Sequence, residues 1–419
     1  MSLDASTVSM LTGAAMLGGA TLRVAGEATK LWLRERSAAA STEQRRDRFA
    51  DRLDAALAVA RAGNPAFKAW VGTRSFRVSA VVEETRDCRS YYLIPEDGRS
   101  LPRFAPGQYL TFHLPTSPHE PPTVRCYSLS ERPRDDYYRV TVRRVPAPAD
   151  RPDLPPGRAS CYFHREVHAG SRLEVEAPQG AFFLDPADEA PVVLVGAGIG
   201  VTPVLSMAAA LAYAQDPRGA YVFAGFRNSR EHPFRTRLAD LARQSPRLRL
   251  HTVYSRPLPV DRRGQDFDAL GRIDLACLQR NLPSNNFRYY LCGPGPLMEE
   301  LVPALVAWGV PIEHIRYEAF GPASVRGLGS ATATDPCTVE FVRSGRTLRW
   351  QGAEPSLLAL AEQGGVRLES GCRAGSCGQC RVALLAGRVE HAKPPGVELL
   401  DGECLACIAR PAGDVTIDA

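Results

Sequence analysis

The sequence predicts a protein of several domains: a short helical N-terminal extension, an antiparallel β-barrel, an α/β domain with a parallel sheet, and a small cysteine-rich domain. Three observations lead to this prediction. The chain has 419 residues, enough for roughly three domains of ~150 residues. Near residue 191 the pattern changes from short strands to strands that alternate with helices. Five of the eleven cysteines lie within 36 positions near the C-terminus, which indicates metal or cluster ligation rather than scattered disulfides.

The composition excludes several classes of protein. Hydrophobic residues make up 44% and charged residues 23% of the chain, which is typical of globular domains and not of disordered or fibrous chains. Basic and acidic residues number 51 and 46, and the net charge of +5 is too balanced to indicate nucleic-acid binding. No apolar run reaches the ~20 residues that a membrane-spanning helix needs. We therefore expect neither a nucleic-acid partner nor a polytopic membrane protein.

Residues 1–72 are predicted to form the helical extension. The apolar run at residues 8–22 is too short to cross a bilayer and lacks the basic start of a signal peptide, and residues 42–62 have helical periodicity. We expect the first helix to pack on the rest of a cytoplasmic protein. Trp32 beside Lys30 leaves a second interpretation, peripheral contact with the inner face of the membrane, and a signal peptide is a third.

Residues 73–190 consist of short predicted strands joined by turns. Alternation and β-branched residues predict strands in the segments FRVSAVVEE, SYYLIPE, GQYLTFHL, YYRVTVRRV and LEVEAP. Such a run of strands predicts an antiparallel barrel, with a sandwich as the alternative.

Two motifs in this domain carry groups that can bind a phosphorylated ring compound. In RCYS, Arg125 can pair with a pyrophosphate, Tyr127 can stack on a flat ring, and Ser128 can hydrogen-bond the ring edge. In GRAS, Gly157 and Ser160 open a predicted helix, whose N-terminal amides favour phosphate. Either motif alone is also compatible with an ordinary edge strand or helix start.

Residues 191–322 alternate strands with helices, which predicts a parallel sheet covered on both faces. The apolar strand VVLVGAG enters a turn at Gly196, Gly198 and Gly200 and then a helix. Glycines allow close backbone approach and a helix N-terminus favours an anion, so the turn is a candidate pyrophosphate site, with a packing role as the alternative. The string YLCGPGP at residues 290–296 ends a later strand at the same carboxyl edge, where ligands collect.

Residues 335–419 begin with two predicted strands and carry the cysteine cluster. Cys372, Cys377 and Cys380 have the spacing C-x4-C-x2-C, and Cys407 follows 27 positions later, which is the plant-type pattern of a [2Fe–2S] cluster. The neighbouring glycines let the loop turn back on itself with its amides toward sulfur.

Two alternatives remain for these cysteines. Cys377 with Cys380, and Cys404 with Cys407, also form a pair of C-x2-C units, the spacing of a zinc site. Zinc would leave Cys372 and the glycines without a role. Within the cluster interpretation, Cys404 is the alternative fourth ligand.

The predicted boundaries follow from these changes in pattern. A stretch of small residues between the last two domains indicates a flexible linker. The predicted order is the helical extension (1–72), the barrel (73–190), the α/β domain (191–322), the linker (323–334) and the cysteine-rich domain (335–419).

The cysteine-rich domain resembles plant-type ferredoxins through GCRAGSCGQC and LACIARP. The resemblance implies a β-grasp fold, a [2Fe–2S] cluster and one-electron transfer. It also implies that the metal ligands are Cys372, Cys377, Cys380 and Cys407, because Cys407 falls where that family places its last ligand.

The RCYS and GRAS motifs together resemble the ferredoxin–NADP reductase superfamily, in which R-x-Y-S and G-x-x-S bind flavin. The resemblance implies an FAD-binding barrel, whereas FMN belongs to a branch with a different loop. The residues implied to bind or border FAD are Arg125, Tyr127, Ser128, Val142, Arg143, Gly157 and Ser160.

Both glycine strings of the α/β domain resemble the segments of this superfamily that bind the nicotinamide nucleotide. The residues implied to bind NAD(P)H are Gly196, Gly198, Gly200, Thr202, Cys292 and Gly293. In YEAFGP, Phe320 would cover the flavin ring and move aside for nicotinamide. Ser128, Thr202, Cys292 and Phe320 form the implied catalytic set, whose task is to place the nicotinamide over the flavin.

The choice between NADH and NADPH stays open in the sequence. Arg227 and Asn228 after one strand, and Ser255 and Arg256 after the next, are candidate partners for a 2′-phosphate. The Ser255-Arg256 pair resembles one in NADPH-specific relatives, but it also occurs in relatives that prefer NADH.

The module order resembles the three-module reductases that supply oxygenases, such as the phenylacetyl-CoA epoxidase reductase component, and residues 76–322 also resemble the reductase half of flavohaemoglobins. We therefore expect a reductase that passes electrons from NAD(P)H through FAD to a [2Fe–2S] cluster. The expected acceptor is a redox partner protein, namely a terminal oxygenase, hydroxylase or desaturase. The alternatives are a nitric-oxide-detoxifying reductase component and a non-enzymatic [2Fe–2S] redox sensor.

Overall fold

The computed structural model describes residues 69–118, 122–147, 152–153, 155–320, 336–352, 354–371, 373, 375, 378–392, 395, 397 and 399–419. The predicted N-terminal helices and the predicted linker at 323–334 lie outside the described residues. Within the part of the chain that is described, no helix has both the length and the apolar character that a bilayer crossing requires.

The first sheet is antiparallel and has six strands. They are β1 (Thr73–Thr85), β2 (Cys88–Pro95), β3 (Tyr109–Leu114), β4 (Thr123–Ser128), β5 (Tyr138–Arg143) and β6 (Arg172–Glu176), with helix α1 (Arg158–Glu166) before β6. Their order is β4-β3-β6-β1-β2-β5. A bridge between Leu129 and Val140 joins the two edges, so the sheet closes into the predicted barrel. Alternate residues of β1, such as Phe76 and Val78, are fully buried, because successive side chains of a strand face opposite sides.

The second sheet is parallel and also has six strands. They are β7 (Val192–Ala197), β8 (Ala220–Phe226), β9 (Leu248–Tyr254), β10 (Ala269–Leu270), β11 (Arg288–Pro294) and β12 (Ile315–Phe320), in the order β10-β9-β8-β7-β11-β12. The helices between them are α2 (Val201–Tyr213), α3 (Arg235–Gln244), α4 (Leu275–Asn281) and α5 (Gly295–Ala307).

Strand β7 explains why this sheet is covered on both faces. Val192 and Leu194 belong to one hydrophobic core, whereas Val193 and Val195 belong to another. A strand that is buried on both faces is apolar throughout, which is why VVLVGAG predicted a parallel sheet. The strand order reverses beside β7, and such a reversal leaves a crevice at the carboxyl ends of the strands.

The C-terminal domain is a mixed sheet with one helix packed against it. Its elements are β13 (Cys337–Phe341), β14 (Arg346–Trp350), α6 (Leu357–Gln363), β15 (Arg381–Ala386), β16 (Val389–His391), β17 (Glu403–Leu405), β18 (Ala409–Pro411) and β19 (Val415–Ile417). Five strands pair in the order β14-β13-β19-β15-β17, and β16 pairs with β18. The Ser356 side chain accepts a hydrogen bond from the Ala359 amide and begins α6.

A buried ion-pair network joins the barrel to the α/β domain. Glu131 of the barrel is only 6% exposed, and its carboxylate lies 3.3 Å from the guanidinium of Arg237 and 3.6 Å from that of Arg139. The Ser206 hydroxyl of α2 donates to the Glu131 carbonyl over 2.7 Å. Separating the two domains at this point would leave a buried charge unpaired. The network therefore holds the barrel against helices α2 and α3 of the α/β domain.

Candidate functional site

A cavity of about 490 Å³ opens at the carboxyl ends of the parallel strands, where the crevice was predicted. Its lining residues come from the ends of β7, β8, β9, β11 and β12 and from the barrel. They include Arg143, Gly198, Gly200, Arg227, Glu231, Ser255, Arg272, Gly293, Glu300 and Phe320. The structure thus brings together residues that lie as far apart in sequence as Arg143 and Phe320.

Close backbone packing explains the glycines of the β7–α2 turn. A Cβ on Gly200 would overlap the carbonyl of Cys292 and lie 2.6 Å from the backbone nitrogen of Gly293, and one on Gly196 would lie 2.9 Å from the Cα of Val201. Gly198 has φ +55°, which side chains disfavour. The turn therefore lies directly against the end of β11 and presents backbone amides and the N-terminus of α2 to the cavity.

The predicted nicotinamide residues lie on both sides of this contact. Thr202 is buried in the first turn of α2, and its hydroxyl donates to the Ile199 carbonyl over 2.9 Å. Cys292 is fully buried, and burial, together with the nearby Glu318 carboxylate, raises the pKa of its thiol. Glu318 is opposite Cys292 in the register of β11 and β12. Sequence analysis missed Glu318, although it stands within YEAFGP.

Arg143, which was predicted to border the flavin, lines the cavity. Its Nε donates to Asp87 over 2.7 Å, and its Nη2 lies 3.6 Å from the carboxylate of Glu231. The same carboxylate lies 3.4 Å from Arg227. Sequence analysis also missed Glu231, because neither its neighbours nor its spacing distinguishes it from a solvated surface residue.

The candidate 2′-phosphate partners divide between the cavity and its surroundings. Arg227 and Ser255 line the cavity. The Arg256 amide donates to the Arg227 carbonyl over 2.8 Å, and the Ser255 amide donates to the Phe226 carbonyl. These two backbone hydrogen bonds hold the ends of β8 and β9 together. The side chain of Asn228 accepts a hydrogen bond from the Arg230 amide through its Oδ1.

The RCYS motif forms β4 and its side chains are largely withdrawn from solvent. The Tyr127 ring packs edge-on against Phe163 and Phe112, and burial raises the pKa of its hydroxyl. Ser128 is buried. Burial, followed by the positive charge of Arg373, lowers the pKa of Arg125. A half-buried cation beside a second cation fits an anionic group such as a diphosphate.

The GRAS motif begins α1 as predicted, but its side chains are already engaged with the backbone. The Ser160 hydroxyl donates to the Gly157 carbonyl over 3.0 Å and accepts from the Val145 amide over 3.1 Å. A Cβ on Gly157 would lie 2.7 Å from the Ser160 Oγ. Val142, the other predicted neighbour of the flavin on β5, is fully buried in the barrel core.

Two of the four predicted metal ligands, Cys372 and Cys377, lie outside the described residues. The other two lie within hydrogen-bond distance of each other, and the hydrogen bond with Cys407 lowers the pKa of the Cys380 thiol. The Gly375 amide donates to the Cys407 Sγ over 3.2 Å, which is the arrangement that stabilises a cluster thiolate. Cys404 is fully buried, and burial followed by Cys380 raises the pKa of its thiol to about 12. These contacts fit a cluster held by Cys407.

Two protein families match parts of this chain. Residues 194–302 match the oxidoreductase NAD-binding domain family, and residues 340–412 match the 2Fe-2S iron-sulfur cluster binding domain family. The flavohemoproteins of Rhodopirellula baltica and Halalkalibacterium halodurans are 38% and 37% identical over 254 residues. These matches cover 60% and 61% of this chain and 62% and 61% of the relatives, so the chain spans about three fifths of their length.

Two solved structures extend the comparison to the fold. The FAD/NAD-binding domain of nitric oxide dioxygenase from Vibrio cholerae is 32% identical, with a TM-score of 0.53, over 60% of this chain and 100% of that one. The chain belongs to the ferredoxin–NADP reductase superfamily. Phthalate dioxygenase reductase, described as modular for electron transfer from pyridine nucleotides to [2Fe–2S], is 25% identical over 83% of this reductase and 98% of its own chain, with a TM-score of 0.53.

Family membership and the two matched domains define the chemistry of the protein in general terms. It has the domains of an NAD(P)H oxidoreductase, with the NAD(P)H–FAD–[2Fe–2S] architecture of an electron-transfer reductase. The predicted barrel, parallel α/β domain and C-terminal ferredoxin domain are thereby confirmed, and so are the three cofactors.

Proposed function

We propose that this reductase supplies single electrons to a terminal oxygenase, hydroxylase or desaturase. The observation that carries the proposal is the pair Cys380 and Cys407, with the Gly375 amide directed at sulfur, in a chain that also has a nucleotide cavity. Phthalate dioxygenase reductase, which has a comparable module content by its description, supports an oxygenase as the partner. The domain boundaries of 73–190, 191–322 and 335–419 belong to the same proposal.

The nucleotide is held by backbone and cations in this proposal. The amides at Gly198 and Gly200 and the N-terminus of α2 take the pyrophosphate, with Arg143 at the opposite wall of the cavity. Thr202 and Cys292 shape the place for nicotinamide. The raised pKa of Cys292 keeps its thiol protonated, so it positions the ring and takes no part in proton transfer.

The flavin is held at β4. Arg125 pairs with the diphosphate, Tyr127 borders the ring system and Ser128 hydrogen-bonds its edge, while Gly157 and Ser160 shape the start of α1 nearby. Phe320 lies at the cavity wall at the end of β12, where it covers the ring until nicotinamide replaces it. FAD and the cluster, when bound, convert one hydride into two single electrons.

A second candidate is a reductase component for nitric oxide detoxification. It rests on the identity of 38% to a flavohemoprotein and shares every step up to the acceptor. A redox sensor is the third interpretation, and it requires no turnover. A cytoplasmic location, with peripheral membrane contact through the N-terminal segment, also stays a prediction.

Anaerobic titration with NADH or NADPH tests the proposed function. We expect flavin absorbance to bleach first, followed by loss of the cluster bands and appearance of a paramagnetic [2Fe–2S] signal, and rapid reduction of cytochrome c. A flavin that bleaches beside a permanently oxidised cluster would contradict the electron path. Cluster reduction without turnover on any acceptor would favour the sensor.

Glu231 is expected to disfavour NADPH. Its carboxylate lies beside Arg227 and Arg143, and a 2′-phosphate that entered between Arg227 and Ser255 would meet this negative charge. Glu231→Gln should raise the ratio of kcat/KM for NADPH to that for NADH about tenfold, equivalent to ~1.4 kcal/mol.

The matched control is Glu313→Gln, which removes the same charge from an exposed position outside the lining of the cavity. Steady-state kinetics with both coenzymes provide the measurement. A ratio that moves equally in both variants would trace the effect to net charge, and an unchanged ratio in Glu231→Gln would exclude the residue from coenzyme choice.

A further inference from the structure

A largely buried carboxylate lies where Gln379, in the cysteine loop (residues 371–380), contacts the barrel. Glu176 ends β6, and its side chain is 12% exposed. Its Oε1 lies 2.7 Å from Nε2 of His113, and its Oε2 accepts a hydrogen bond from Gln179 over 3.1 Å. Oε1 also accepts a hydrogen bond from the Gln379 side chain over 2.9 Å, across 203 residues of sequence. Three side chains thus converge on one carboxylate, and one of them comes from a different domain.

Gln379 connects this carboxylate to the metal site. It stands between Gly378, which has φ +74°, and the predicted ligand Cys380. The Arg381 amide donates to the Gly378 carbonyl and closes a turn around the Gln379 side chain. A residue adjacent to a cluster ligand is therefore anchored to the barrel through a charge-assisted hydrogen bond, which is stronger than a bond between neutral groups.

The anchored part of the barrel is the part that carries the flavin motif. Strand β6 pairs with β3, and β3 pairs with β4 so that Phe112 is opposite Arg125. The hydrogen bond from Gln379 therefore attaches the C-terminal domain to the β4-β3-β6 side of the barrel.

We propose that the hydrogen bond between Glu176 and Gln379 is a latch that docks the cysteine loop on the flavin barrel, and that electrons pass between the two centres in this latched state. The inference rests on the proposed function and adds to it the residues that position the donor and the acceptor. NAD(P)H supplies two electrons and a proton as a hydride. With FAD and the cluster bound, the electrons would cross the contact one at a time. The first would reduce one ferric ion of the cluster to ferrous, the redox partner protein would take that electron, the re-oxidised cluster would accept the second, and the proton would be released to solvent.

Among the described residues, the latch is a hydrogen bond between two side chains, which suits a contact that must also open. The latch favours the docked arrangement, and a protein partner that needs the cluster surface would displace Gln379 from Glu176. His113 and Gln179 keep the carboxylate paired when the latch is open, so opening does not leave an unpaired buried charge.

The test uses the full-length holoprotein and a pair of substitutions that exchange the carboxylate and the amide between the two positions. Gln379→Glu places two carboxylates face to face, and we expect flavin-to-cluster electron transfer, followed by anaerobic stopped-flow absorbance, to slow at least about tenfold. Hydride transfer to the flavin should keep its wild-type rate. The double variant Glu176→Gln/Gln379→Glu recreates a carboxylate–amide hydrogen bond in the opposite sense and should restore the transfer rate.

The double variant also separates docking from redox effects. It returns the net charge at the contact to the wild-type value, so the cluster potential of each variant is titrated as well, and a slow single variant with the wild-type potential assigns the effect to docking. Gln351→Glu, an exposed position of the same domain, controls for net charge and should transfer electrons at the wild-type rate.

Solution scattering provides a readout that does not depend on turnover. Gln379→Glu should have a larger radius of gyration than the wild type, and the double variant should return to the wild-type value. A wild-type transfer rate in Gln379→Glu, or a double variant as slow as the single one, would overturn the latch. Failure of NAD(P)H to reduce the wild-type cluster would instead overturn the proposed function, and the scattering comparison would still decide the latch.

Discussion

Cys407→Ser is expected to lose the [2Fe–2S] cluster, whereas Cys404→Ser should retain it. The Gly375 amide donates to the Cys407 Sγ, as a cluster ligand requires. Cys404 is fully buried among apolar side chains in the core of the domain. We expect iron and sulfide per chain to fall at least about tenfold in Cys407→Ser, because a [2Fe–2S] cluster needs four ligands.

In Cys407→Ser, the activity that depends on the flavin and the activity that depends on the cluster should respond differently. Reduction of ferricyanide by NAD(P)H depends on the flavin half and should persist, while cytochrome c reduction should fall about 100-fold if it requires the cluster. Iron content, visible absorbance and both activities are measured on anaerobically purified protein. Loss of the cluster in Cys404→Ser, together with its retention in Cys407→Ser, would assign the fourth ligand to Cys404.

Gly200→Ala should nearly abolish use of NAD(P)H. The added Cβ would overlap the Cys292 carbonyl and press on the Gly293 nitrogen. Both obstacles are backbone in a buried strand, so the turn must move away from β11 and distort the cavity. We expect kcat/KM for NAD(P)H to fall at least about 100-fold, since misplacement by about 1 Å can cost that much. The flavin content should stay normal, because the barrel is untouched.

The matched control is Gly219→Ala in the same domain, where an added Cβ meets no atom within 4 Å. Pre-steady-state flavin reduction and the thermal midpoint of unfolding are measured for both variants. Wild-type flavin reduction in Gly200→Ala would show that the turn tolerates a side chain and takes no part in nucleotide binding. An equal loss in Gly219→Ala would indicate general damage to the domain.

Local sequence patterns were sufficient for most of the fold and for the class of chemistry. The apolar run of β7 predicted a strand buried on both faces, and its residues do alternate between two cores. The glycines at 196, 198 and 200 predicted a tight turn that lets the backbone approach a neighbour closely, and Gly200 packs in this way against Cys292 and Gly293. Such features are visible in sequence because periodicity and backbone freedom belong to neighbouring residues.

Other features of the site depend on which strands become neighbours. Arg143 was predicted from its motif to border the flavin, and the packing of the two domains also places it in the wall of the cavity, near Glu231. Glu131 and Arg237 are likewise paired only at the domain interface. Charged residues of this kind have no periodic signature, since a solvated surface residue and half of an interdomain pair are identical in local sequence.

What the sequence determined by itself was therefore the order of modules, the cofactor motifs and the spacing of the cysteines. The tertiary structure alone decided that Glu231 enters the cavity and that Gln379 reaches Glu176 across 203 residues. The physical reason is that a motif is a property of adjacent backbone, whereas a long-range polar contact exists only after apolar burial has brought distant strands and loops together.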